Sequence, residues 1–136
     1  MPAAIPDNIT RVAIAVVEAE GEYLVGVRGP DGPLPGYHEF PGGKLNHAES
    51  PFDGAVRECR EETGLDVTPR ETLYECRHDY PHGHVELTFV LCRPDQQGRP
   101  AALGRFEWRT AGELSSLRFP EANGPVLQRI RARNAS

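Results

Sequence analysis

The sequence predicts an α/β fold, and three observations carry the prediction. Runs rich in Val and Ile have strand length, an amphipathic helix has both ends marked, and a second helical pattern closes the chain. With 136 residues the chain is expected to form one domain, residues 1–136, large enough to bury a core. Only residues 1–8 and 132–136 read as loose.

Residues 10–18 (TRVAIAVVE) read as a strand, Glu20-Gly21 as a turn, and residues 22–28 (EYLVGVR) as the returning strand. Arg28 ends that strand, either as a surface cation or as a contact for substrate. Residues 29–36 are loaded with Gly and Pro and read as a loop. They lead into residues 37–44 (YHEFPGGK), where glycines let backbone approach a metal or phosphate closely. Lys44 is placed either to pair with phosphate or to face solvent. Residues 66–68 begin an extended segment that Pro69 is expected to interrupt. Residues 71–79 and 84–92 (HVELTFVLC) read as strands around the turn 80–83. His78, His82 and His84 cluster there, but their spacing is not a familiar metal pattern and strand alternation splits neighbours. Tyr80 is the better candidate in that turn, since aromatic rings stack on bases. Residues 95–102 form a polar loop and residues 105–109 a last strand, with Trp108 read as core packing. Thr110 caps a short helical turn through Leu114, and residues 125–131 form the final helix.

The helix over 51–63 carries the densest chemistry. Ser50 is a good N-cap, Pro51 suits the first helical position, Asp53 sits where a capping-box acid belongs, and Gly64 can take the left-handed position that ends the helix. At about 100° per residue, Phe52, Ala55, Val56 and Cys59 fall on one apolar stripe. Glu58, Glu61 and Glu62 fall together on the adjoining face. Clustered acids repel one another, and a hard divalent cation such as Mg²⁺, which takes oxygen ligands, reverses the sign of that interaction. Arg57, four residues before Glu61, can hold that acid in one orientation. On the acids alone, a solvated acidic face and a cation site both remain open.

The net charge of −5 gives no sign of a nucleic-acid polymer as partner, and it means that an anionic substrate needs local cations or metal. Cys59, Cys76 and Cys92 are widely spaced, odd in number and without a C-x-x-C pattern, which argues against a disulfide framework. The first apolar run, residues 12–17, is far too short to span a membrane, and no signal peptide is evident. A reducing cytoplasm is the simplest location, and monomer and homodimer are both compatible with the sequence.

Gly43, five residues, Glu49, seven residues, then Arg57-Glu58-Cys59-Arg60-Glu61-Glu62-Thr63-Gly64-Leu65 resembles the signature box of the Nudix hydrolases. Cys59 departs from it, standing where a bulky aliphatic is usual. Residues 38–44 resemble the Trp-Glu-Phe-Pro-Gly-Gly-Lys lead-in of the MutT-type branch, with His38 in the tryptophan's place. Residues 119–126 (FPEANGPV) resemble the Phe-Pro-x-Ala-Asn-x-Pro-Val segment of the MutT-type 8-oxo-dGTP diphosphatases. The resemblance implies the Nudix fold, a mixed β-sheet sandwiched between helices (α/β/α). It implies that Glu58, Glu61 and Glu62 are metal ligands or the base, that Arg57 and Glu49 support them, and that the Gly42 carbonyl is a further ligand. Mg²⁺ is the implied ion, with Mn²⁺ an alternative. Asn123 is then the residue that reads the purine, with Phe40 or Tyr80 lining the pocket. Read from its residue type alone, Asn123 equally suits the cap of the final helix.

The implied reaction is hydrolysis of a small-molecule nucleoside triphosphate to the monophosphate and pyrophosphate, with 8-oxo-dGTP favoured. A CTP or modified-dCTP pyrophosphohydrolase, an ADP-ribose hydrolase and a catalytically inactive Nudix-like ligand sensor are the alternatives. The intact acid cluster argues against the sensor. Two departures matter. Residues 100–103 (PAAL) stand where the best-known MutT-type enzymes have an extra catalytic glutamate, so Glu58 or a metal-bound water has to serve. Gly83 falls where those enzymes have an arginine near the purine.

Overall fold

Alternation along the first strand sets the architecture. In a computed structural model covering residues 9–81 and 83–134, β1 (Ile9–Ala19) sends Ala13, Ala15 and Val17 to one face of a sheet and Val16 to the other. All four are fully buried, as a period of two between two covering layers requires. The Tyr80 side chain and His82 lie outside the described residues. β1 pairs antiparallel with β2 (Glu22–Val27) and β4 (Gly42–Lys44), and parallel with β6 (Gly83–Pro94). β3 (His38–Glu39) and β7 (Glu107–Thr110) add to β2, and β5 (Val67–Tyr80) closes the sheet beside β6. The sheet is therefore mixed, in the order β3-β2-β1-β6-β5 with β4 and β7 attached to β1 and β2.

Helices cover both faces. α1 (Pro51–Thr63) packs Ala55 and Cys59 against Ala13, Ala15, Val17, Leu24 and Val90. On the other face, α2 (Ala111–Leu114) and α3 (Gly124–Asn134) bring Leu114, Val126 and Ile130 onto Val16, Tyr23 and Phe89. This is the expected sheet between helices. The small Cys59 fits because α1 lies close to the sheet; its thiol is 0% exposed and bonded to Thr63.

Local signals that depend on neighbouring residues are realised. Glu20 (φ 50°) and Gly21 (φ 77°) both take positive φ in a two-residue hairpin turn between Ala19 and Glu22, matching the strand twist. α1 has the expected bounds, with Ser50 accepting from the Asp53 N–H at 3.1 Å and Gly64 at φ 78° donating to the Arg60 carbonyl at 2.9 Å. Thr110 and Glu113 make a complete capping box at α2.

Three expectations need correction, and one segment gains an assignment. Pro69 does not interrupt a strand: β5 runs through it, because the strand lies at the sheet edge and irregularities between Pro69 and Glu71 and between Thr72 and Tyr74 absorb the missing N–H. Residues 38–39 and 42–44, which the sequence left without an assignment, are short strands. The last strand starts at Glu107, not 105. A 3-10 turn, Glu121–Asn123, precedes α3, which runs on to Asn134. Among the described residues no helix is long and apolar enough to cross a membrane.

The buried polar residue Thr63 locks the end of α1. Its hydroxyl donates to the Cys59 carbonyl at 2.6 Å and accepts from the Leu65 N–H at 3.2 Å. Thr63→Val keeps the shape and leaves that N–H unpaired, so it should lower unfolding free energy by about 1–3 kcal/mol in a denaturant titration.

Candidate functional site

The site is assembled around one guanidinium on α1. Arg57 donates from Nε and Nη2 to the two carboxylate oxygens of Glu49 at 2.8 and 2.9 Å. Nη1 reaches Glu58 at 3.0 Å and Glu61 at 3.2 Å, and Nη2 also reaches the Lys44 carbonyl at 3.0 Å. All five N–H donors of the fork can be engaged in this way. Glu49 in turn accepts from the Asn46 N–H at 2.9 Å. Arg57 and Asn46 together hold the Glu49 carboxyl down to about 2.

Glu62 belongs to a different environment. It accepts from the Gly42 N–H at 2.9 Å, which ties α1 to β4. Burial pushes its carboxyl up to about 7; the Gly42 N–H opposes that rise, and a hydrogen-bonding contact with Glu58 and repulsion from Glu58 and Glu39 add to it. Gly43 makes the approach of β4 feasible, because a Cβ there would stand 2.6 Å from the Glu58 carboxyl carbon. Glu58 and Glu62 therefore form a close acidic pair at the glycine turn. Glu61 is drawn to Arg57 and is more exposed.

An oxygen-only donor set with two carboxylates close enough to share a proton suits a hard divalent cation, which takes the proton's place. The acids do not form a closed cage as they stand. Among the described residues no group of three His, Cys, Asp or Glu surrounds a common point, since Arg57 draws Glu58 and Glu61 while Gly42 draws Glu62. Gly42 is brought to the cluster through its N–H. The histidine cluster does not assemble among the described residues either: His84 pairs with Asp79 through Nδ1.

A cleft of about 200 Å³ opens beside the pair. Gly42 and Gly43 line one part of it, and Arg28, Phe40 and Asn123 line the rest. Phe40 is 5% exposed and stacks on Phe119 with centroids 5.1 Å apart, so its wall is rigid. Arg28 stands 3.5 Å from Glu39, and its Nε is buried with no hydrogen-bond partner. Asn123 ends the 3-10 turn; its backbone N–H bonds the Pro120 carbonyl at 2.9 Å, and among the described residues its side chain makes no hydrogen bond.

The structure thus gathers Glu49, Arg57, Glu58 and Glu61 in one network, joins Glu62 to it through Glu58, and sets Arg28, Phe40, Gly42 and Asn123 around the adjoining cleft. Lys44 is not on the cleft wall: its side chain is exposed and its carbonyl is what Arg57 uses. The Tyr80 side chain falls outside the described residues. Sequence reasoning missed Glu39 and Ala122 in the cleft wall, and the floor made by Val12, Ile14 and Leu87. Strand alternation was the available signal for the floor: Val12 and Ile14 share a face of β1, and Leu87 is the register partner of Val12. In the loop 96–106 no carboxylate exists to act as a base.

The NUDIX domain family profile matches residues 12–129. The 8-oxo-dGTP diphosphatase of Escherichia coli strain K12 is 30% identical over 130 residues, spanning 89% of this chain and 95% of its own. The CTP pyrophosphohydrolase of the same organism is 38% identical over 131 residues, spanning 95% and 96%. Among solved structures, the solution structure of MutT from methicillin-resistant Staphylococcus aureus superposes with a TM-score of 0.73 at 28% identity, over 93% of this chain and 98% of the other.

The two carboxyl shifts give opposite pH slopes in metal-free protein. Glu62 is raised, so its contribution is fully present below about 4.5 and is lost as pH rises through about 7. Glu49 is lowered, so its contribution is present above about 4.5 and is lost as pH falls toward 2. In EDTA, the melting temperature should therefore decline between pH 4.5 and 7, and Glu62→Gln should flatten that decline. An unchanged slope in the variant would assign the effect to another group.

Proposed function

The chain belongs to the Nudix hydrolase family, in its MutT-like branch, and from that premise we propose that it hydrolyses a nucleoside triphosphate to the monophosphate and pyrophosphate. One observation carries the reading: Gly42 and Gly43 line the cleft while touching Glu62 and Glu58, so base recognition and phosphate chemistry share one continuous surface. Glu58, Glu61 and Glu62, with the Gly42 carbonyl, are the residues that would hold Mg²⁺ or Mn²⁺. When bound, the ion supplies charge neutralisation at the phosphate oxygens and acidifies the attacking water. Arg57 fixes the rotamers of Glu58 and Glu61, and Glu49 fixes Arg57. With no carboxylate in the loop 96–106, the Glu58–Glu62 pair is the proton acceptor at the glycine turn, while Glu39 in the cleft wall is paired with Arg28.

The base lies against Phe40, with the Asn123 amide and Arg28 reading its edge. An amide that offers donors and an acceptor in one plane, and that makes no hydrogen bond among the described residues, fits an oxidised guanine such as that of 8-oxo-dGTP. The higher identity to the CTP pyrophosphohydrolase favours a second reading, a cytosine in the same place. Pyrophosphate release across a panel of 8-oxo-dGTP, dGTP and CTP, with Mg²⁺ and with EDTA, tests both; no release from any of them removes the proposal.

Glu58→Gln or Glu62→Gln should lower kcat by at least about 10²-fold while the protein still melts cooperatively. Wild-type turnover in either variant would place the chemistry elsewhere.

Asn123→Ala should cost roughly 1–3 kcal/mol in kcat/KM for the preferred nucleotide and much less for the others. Equal losses across the panel would remove Asn123 from base selection.

A further inference from the structure

We propose that the base cleft continues across the sheet into a second subsite, over β5, which takes an apolar or aromatic substituent on the edge of the base that faces Asn123. The inference rests on the nucleotide reading above and adds a substrate class to it: nucleotides whose base carries a bulky alkyl or benzyl group.

A cavity of about 550 Å³ shares a wall with the cleft. Pro120 and Ala122 line both spaces, while Asn123 lines the cleft and Glu121 the cavity, so the 3-10 turn straddles the boundary. The floor is continuous as well. Val12 of β1 is the register partner of Leu87 of β6, and Leu87 is the partner of Cys76 of β5. Val12 and Leu87 lie under the cleft, and Cys76 lies under the cavity. Register partners share a face, so one row of side chains crosses three strands from one space to the other. Along β5, Tyr74, Cys76 and His78 are half-buried on this face, whereas Glu75, Arg77 and Asp79 are exposed. Ligand sites usually enclose about 300–1,000 Å³. The cleft, at about 200 Å³, falls short of that by itself, and the two spaces together fall within it.

The walls suit an apolar group. Tyr74 supplies an aromatic ring, fixed by Arg129 at 5.4 Å from its centroid and by Phe89 at 6.3 Å. Burial pushes the Cys76 thiol above its ordinary value, so it stays neutral. Pro120, Ala122 and Pro125 close the other side without charge. That side is also held in place. Phe119 stacks on Phe40, the His38 N–H donates to the Arg118 carbonyl at 2.6 Å, and Val126, next after Pro125, is fully buried. The cavity is therefore formed before a ligand arrives, which keeps the cost of ordering low. A base seated against Phe40 turns the edge that Asn123 reads toward the 3-10 turn. A substituent on that edge enters the cavity.

The test is steady-state kinetics on dGTP and CTP beside dGTP benzylated at N2 or at O6 and CTP benzylated at N4, for the wild type, Cys76→Phe and Tyr74→Ala. In the wild type at least one benzylated nucleotide should have a KM about tenfold below its parent's, as burial of a phenyl ring predicts. Cys76→Phe fills the cavity and should abolish that preference. Tyr74→Ala removes the aromatic wall and should weaken it about threefold. No benzylated nucleotide with a KM below its parent's, or an unchanged preference in either variant, overturns the proposal. Melting curves show which variants fold, and if Cys76→Phe does not, Tyr74→Ala decides. An unchanged preference in Cys76→Phe together with loss of a dimer in sedimentation would give the cavity to a second copy of the chain and overturn the subsite. If the wild type turns over no nucleotide, the triphosphate reading fails by itself. Calorimetry with the corresponding nucleosides then decides for the cavity: tighter binding of a benzylated nucleoside than of its parent, lost in Cys76→Phe, supports the subsite, and equal binding overturns it.

Discussion

The bidentate bond between Arg57 and Glu49 is the constraint on which the candidate site depends. Glu49 lies in the loop after β4 and Arg57 on α1, so the pair fixes the glycine-rich loop against the helix. Because Arg57 also reaches Glu58, Glu61 and the Lys44 carbonyl, one planar cation sets the direction of three carboxylates and a backbone segment. Lysine has the charge but not the fork, and it could not hold these groups at fixed angles. Helix spacing brings Glu58 and Glu61 together, and this cation offsets their repulsion.

Glu62 shows the cost of that closeness. It is the member of the cluster that Arg57 does not reach, and what favours its charged form is the N–H of Gly42. Burial beside Glu58 and Glu39 therefore favours its protonated form. A site that is uncomfortable as built, and comfortable once a divalent cation replaces a proton, gives up stability for function, a common arrangement at catalytic centres. The surrounding fold supplies the compensation: α1 is capped at both ends and buries Ala55 and Cys59 completely.

The cleft depends on the sheet. Its floor comes from adjacent strands in register, Val12 and Ile14 of β1 with Leu87 of β6. Its walls come from the β3–β4 segment and from the turn before α3, more than seventy residues apart in the chain. The Phe40–Phe119 stack joins these walls, so the glycine turn and Asn123 keep a constant separation. Pre-organisation of this kind reduces what ordering on binding would cost.

How much of this was legible follows the range of each interaction. The bounds of α1, its acid face and the Glu20-Gly21 turn rest on residues within about four positions of one another, and those were readable from the chain. The spacing of Arg57, Glu58, Glu61 and Glu62 pointed to one site for the same reason, whereas Glu49 was implied only by the resemblance to the Nudix box. Pro69 was misread because its tolerance depends on lying at a sheet edge, and no residue near it in sequence says so. Glu39 and Ala122 were missed because they become cleft walls only when β3 and the last turn are brought together. Strand order, register and the packing of distant loops come from burying both faces of one sheet at once, and that requirement is met only by the folded chain as a whole.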